Sequence, residues 1–109
     1  FTVKVMENDS FIPQDLTTMT LAQFELVDLV TLVSTLSVTS TTIIGGAVNG
    51  TIEFTLPAAS TTALNFERGA KVDGYYLKPT YQAVITVKGS DFVDILSTVD
   101  KVYIVPVGV

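Results

Sequence analysis

The stretch Asn49-Gly50-Thr51-Ile52-Glu53-Phe54-Thr55-Leu56-Pro57 decides the fold. Ile52, Phe54 and Leu56 alternate with Thr51, Glu53 and Thr55, the period of a strand with one face in a core and the other in water. Asn49-Gly50 is a hairpin signal, because a type I′ turn needs two residues at positive φ, and Pro57 ends the run. Working upstream, residues 30–42 set Val30, Leu32, Leu36 and Val38 against Thr31, Thr35, Ser37 and Thr39. That pattern predicts a strand leading through Ile43-Ile44-Gly45-Gly46 into the hairpin. Residues 19–27 oppose Ala22, Phe24 and Leu26 to Gln23 and Glu25. Phe1, Val3 and Val5 alternate with Thr2, Lys4 and Met6 until Glu7-Asn8-Asp9-Ser10 and a Pro13-containing loop intervene.

Downstream, residues 58–66 are the one predicted helix, with Ser60, Thr61 or Thr62 as cap, Leu64 and Phe66 as anchors and Gly69 as the stop. Residues 67–79 form a charged loop with a tight turn at Asp73-Gly74. Residues 80–88 are a strand with Tyr81, Ala83, Ile85 and Val87 on one face, and Gly89-Ser90-Asp91 turns the chain. A short piece at 92–96 and a last strand at 99–107 complete it. The expectation is a single domain, residues 1–109: an all-β, immunoglobulin-like antiparallel β-sandwich of about seven strands with one short crossover helix.

Composition agrees. Leu, Ile, Val and Phe make up 39 of the 109 residues, enough apolar material for a packed core. Val, Ile and Thr also total 39, and β-branched side chains lose rotamer freedom in a helix while packing well on a pleated sheet. Charged residues are only 16% of the chain, and 16 Thr and 7 Ser take their place on the surface. Broad Thr/Val faces with few edge charges invite association between strands, so the chain is expected to be covered by partners and to form a homo-oligomer.

The same composition excludes function classes. With no His and no Cys, there is no Ser-His-Asp or Cys-His nucleophile, no ordinary zinc or copper site, no haem ligation and no disulfide. A net charge of −5 repels phosphate backbones, which argues against nucleic acid. Residues 29–52 carry no charge, but Thr, Ser, a Gly-Gly and an Asn-Gly pair interrupt them too often for a membrane-spanning helix. The first residues have no hydrophobic run of the signal-peptide kind, and no membrane association is expected.

Three groups of residues carry possible chemistry. Glu7, Asp9 and Asp15 are oxygen ligands of the kind Ca²⁺ takes, but their spacing matches no Ca²⁺ loop; protecting a strand end accounts for them better, and no metal or cofactor is expected. Asp91 and Asp94 form a carboxylate pair of the type used in glycoside hydrolysis, although among eleven acids chance pairs arise, and the chain is expected not to be an enzyme. Arg68, Lys71, Tyr75, Tyr76 and Lys78 combine cations and aromatics in one irregular segment, a composition enriched at protein interfaces and usable for a glycan. With Phe1, Val3 and Val5 of the N-terminal segment, they are the candidate protein-contact residues.

The order of these segments resembles a known kind of module. Asp15-Leu16 opening into Thr20-Leu21-Ala22-Gln23-Phe24-Glu25-Leu26, then Gly50-Thr51-Ile52-Glu53-Phe54-Thr55-Leu56, a short helix before Gly69, the strand from Tyr81 to Val87 and the closing Val102-Tyr103-Ile104-Val105-Pro106 are similar to the β-sandwich modules of tailed-bacteriophage virions. The segments look similar in particular to the N-terminal attachment domain of phage baseplate upper proteins. This resemblance implies a structural, cofactor-free protein located in the virion and bound to major capsid or tail proteins. A domain of this size without a long C-terminal extension is expected to be a capsid decoration (cement) protein that stabilises the assembled particle. Alternatives are a neck, tail or baseplate attachment module and a glycan-binding adhesive domain.

Overall fold

A computed structural model of the chain describes residues 1–7, 10–64, 80–102 and 104, together with the backbone of residues 67–68 and 77–78. Its strands are β1 (Thr2–Lys4), β2 (Met19–Asp28), β3 (Ser34–Thr39), β4 (Thr42–Ile44), β5 (Thr51–Glu53), β6 (Glu67–Arg68), β7 (Leu77–Lys78), β8 (Tyr81–Gly89) and β9 (Ile95–Val102), and α1 spans Ala58–Thr62. A small sheet of order β1-β5-β4 faces a large one of order β3-β2-β8-β9, and β6-β7 is a separate two-stranded ribbon. Every pairing is antiparallel. The all-β sandwich expected from the alternation is therefore present, with α1 in the connection from the small sheet back to the large one.

The inward positions are those the period of two selects. Ala22, Phe24 and Leu26 of β2, Leu36 of β3 and Tyr81, Ala83 and Val87 of β8 are buried on the large sheet. Ile52 and Phe54 reach them from the small sheet, both fully buried, with Val5 and Leu16. Three rings join the layers: Phe1 meets Phe24 edge-on at 4.9 Å and stacks on Phe54 at 5.6 Å, and Phe24 lies 6.1 Å from Phe54. Such pairs contribute about 0.5–1.5 kcal/mol each beyond the area they bury. The Phe1 ammonium donates to the Phe54 carbonyl at 2.9 Å, and the Phe54 N–H returns a bond to Phe1 at 2.8 Å, extending the β1–β5 ladder by one rung.

Several expectations are corrected. Residues 30–42 are not one strand: β3 begins at Ser34 and β4 at Thr42. The Asp28 carboxylate accepts the N–H groups of Val30 at 2.8 Å and Thr31 at 2.9 Å, and this local turn outcompetes strand pairing. The hairpin joining β4 to β5 exists, but without a type I′ turn. Ala47–Asn49 forms a 3₁₀ turn, the Asn49 amide donates to the Gly45 carbonyl, and Gly45, Gly46 and Gly50 take the positive φ values. A Cβ on Gly50 would lie 2.5 Å from the Val5 carbonyl oxygen, so a side chain there collides with the backbone just after β1.

The helix is shorter than 58–66 and starts from an extended Pro57 with no side-chain cap. Thr61 and Thr62 cannot cap it, because their hydroxyls bond backward to Ala58 and Ala59 at 3.0 Å. Phe66 and Gly69 lie outside the described residues. The regular part of the hairpin's outgoing strand is Thr51–Glu53 instead of 51–56. The expected break between 92–96 and the last strand is absent, since a single strand, β9, covers Ile95–Val102; residues 103 and 105–107 lie outside the described residues. Residues 67–79 open and close with the two rungs of β6 and β7, and Asp73-Gly74 is outside the described residues.

Candidate interaction surfaces

The sequence-predicted contact residues fall into two groups. In the N-terminal segment, Val5 is buried, Val3 packs against the core, and Phe1 is half-exposed with its ring on Phe24 and Phe54. What this segment turns outward is Thr2, Lys4 and the open edge of β1. A groove of about 310 Å³ runs beside that edge, lined by Val3, Lys4, Val5 and Met6 on one side and Ile85, Val87, Ile95 and Ser97 on the other. In the cationic segment, the β6–β7 register sets Lys78 opposite Glu67 and Arg68 opposite Leu77. Lys71, Tyr75 and Tyr76 lie outside the described residues.

The carboxylates divide in the same way. Asp15 accepts the Thr17 hydroxyl at 2.6 Å and its N–H at 2.9 Å, and these two bonds hold its carboxyl below the usual aspartate range. Asp94 pairs with Lys88 at 3.7 Å, whereas Asp91 lines a separate hollow of about 340 Å³ with Gln14, Asp15, Thr17, Thr18 and Phe92. Asp9 lies outside the described residues. Among the described residues, no three carboxylates converge as a metal site, and no charged side chain is buried. No helix among them is long and apolar enough to cross a membrane.

Sequence reasoning missed the apolar display. Residues 29–33 form a tip at the end of β2 in which Val30 is 86% and Leu32 75% exposed. Asp28 builds this tip: its carboxylate takes Val30 and Thr31, its carbonyl takes the Leu32 N–H at 2.9 Å, and its N–H bonds Val33 at 3.0 Å. Bonds from Thr31 and Val30, in that order, keep the Asp28 carboxyl below its ordinary value. Leu32 sits at φ 60°, a left-handed conformation that costs a bulky residue about 1–2 kcal/mol. The available signal was Asp28 itself, a side-chain acceptor placed before the uncharged run. At the opposite end of the sandwich, Phe11 is 98% exposed on a loop closed by the Glu7 N–H to the Ile12 carbonyl. Val93 is also exposed beyond Gly89.

Compared with known proteins, the chain matches no family model, no curated protein and no solved structure.

Proposed function

We propose that this chain is a non-catalytic assembly module of a tailed-bacteriophage virion, acting as a capsid decoration protein that binds the assembled particle and stabilises it. The observation that carries the assembly role is a stiff, charge-poor sandwich that holds apolar side chains out in water: Val30, Leu32 and Val33 at one end, Phe11, Ile12 and Val93 at the other. Side chains of this kind need a covering partner, and several together mark a contact surface. The phage assignment rests on the order of segments in the sequence. A protein that binds only the assembled lattice stabilises it by mass action, in proportion to occupancy.

The test is co-sedimentation of the purified domain with assembled heads, and separately with tails, prepared from the phage that carries this sequence. Binding to heads, with a raised temperature of head disruption, is expected. Binding to tails alone would assign the neck or tail position, and binding to neither would overturn the virion role. Retention on a glycan array would favour the adhesive alternative.

A further inference from the structure

We propose that the open edge of β3 pairs antiparallel with the β3 edge of a second copy across a two-fold axis, joining two four-stranded sheets into one. This deepens the assembly reading and rests on it. β3 is the terminal strand of the large sheet. The Ser40 N–H donates to Ala22 at 3.0 Å, so by alternation the main-chain groups of Val38 and Leu36 also face β2, while those of Ser37 and Thr39 face outward. No described residue bonds those outward main-chain groups.

The register follows from a bulge. Leu26 pairs with Leu36 but Val27 with Ser34, which leaves Thr35 as an extra residue and confines regular pairing to residues 36–40. Centred on Val38, the two copies set Ser37 opposite Thr39 of the second copy and exchange about four main-chain hydrogen bonds. Hydroxyls then meet hydroxyls on the outer face, and Val38 meets its own counterpart beside the core.

Charge selects a second copy as the occupant. A two-fold axis sets a segment against itself, so any charge near it opposes a like charge. The chain carries −5 overall, yet residues 29–52 carry none. The other edges are unsuited: β1 and β4 have three residues each, and β9 carries Asp100 and Lys101.

Sedimentation equilibrium of the whole chain at about 10 to 200 micromolar tests this, a range that brackets a dimer of modest interface. A mass twice the 11.7 kDa of the chain is expected, with Ser37→Lys raising the dimer Kd at least about tenfold at an unchanged circular-dichroism spectrum. The chain has no cysteine. A mixture of Ser37→Cys and Thr39→Cys chains is therefore expected to form a disulfide-linked dimer under mild oxidation, while neither does so alone. The Cα separation of a hydrogen-bonded pair, about 5.5 Å, allows the bond. A monomer throughout the range would overturn the proposal, as would a dimer indifferent to Ser37→Lys that gives no cross-link in the mixture. A monomer that still binds heads removes this inference alone; a dimer that binds neither heads nor tails removes the virion role and leaves the pairing standing.

Discussion

Along one flank of the sandwich, β1 and β9 carry Lys4, Asp100 and Lys101, with Glu7 and Asp94 beside them; along the other, β3 and β4 lie within residues 29–52, which hold no charge at all. Among the described residues both flanks end in strand edges with no further strand beside them, so both present edge N–H and C=O groups. The first is protected by ionised side chains and by a register shift opposite Tyr81 and Ala83. The second has only the bulge at Thr35 and presents Thr, Ser and aliphatic groups. Edge protection in this chain is therefore one-sided. The flank left unprotected is the one that also holds the Asp28-built apolar tip.

The contrast can be broken most forcefully at the core both flanks share. Phe54→Ala removes the ring that joins Phe1 and Phe24 and is expected to cost about 3–5 kcal/mol, lowering hydrogen-exchange protection on both flanks together. Protection lost on one flank alone would mean that the two sheets are not one cooperative unit. Gly50→Ala, where the uncharged stretch meets Val5, is expected to cost about 2–3 kcal/mol in urea unfolding, from the collision with the Val5 carbonyl and the positive φ.

Edge charge sharpens the comparison directly. Lys101→Ser on β9 is expected to increase self-association in light scattering, whereas placing lysine at Ser37 decreases it; both leave unfolding within about 0.5 kcal/mol of the parent. Equal responses would show that the charge difference between the flanks has no bearing on association. Leu32→Gly relieves the left-handed backbone and should gain up to about 1 kcal/mol in thermal unfolding, since the lost side chain is mostly in water. The smallest effect concerns pH. Because its hydrogen bonds depress the Asp28 carboxyl, the contribution of the tip is complete above about pH 5 and fades as the carboxyl protonates below about pH 4. Amide exchange at Val30 and Thr31 should accelerate over that acid range relative to β8, and a flat ratio would remove Asp28 as the builder of the tip.

Most of the architecture was legible because a period of two is a strong signal wherever one face is buried. Ile52 and Phe54, Ala22, Phe24 and Leu26, and Tyr81, Ala83 and Val87 fall on the apolar faces of the alternation and are all buried. The errors arose where local hydrogen bonds override the period. Val30 and Leu32 fit the alternation yet sit in a turn, because the Asp28 carboxylate competes for their backbone. The Asn49 amide similarly diverts a dipeptide that otherwise reads as a two-residue turn. The contact candidates were less legible. Apolar alternation cannot distinguish a side chain that meets a partner from one that meets the core, so Val3 and Val5 read as contact candidates although they pack inward, while Val30 and Leu32 read as core although they are exposed. Charge silence over residues 29–52 was visible from the start, but its meaning depends on knowing that β3 is an edge.

The absence of charged side chains from the described interior has a consequence for solubility. Among the described residues acidification has no buried salt bridge to rupture; it neutralises surface carboxylates that otherwise keep copies apart. Near the isoelectric point of about 4.3, the sandwich should persist while mutual repulsion vanishes, so the folded chain, not an unfolded one, is the species that precipitates there.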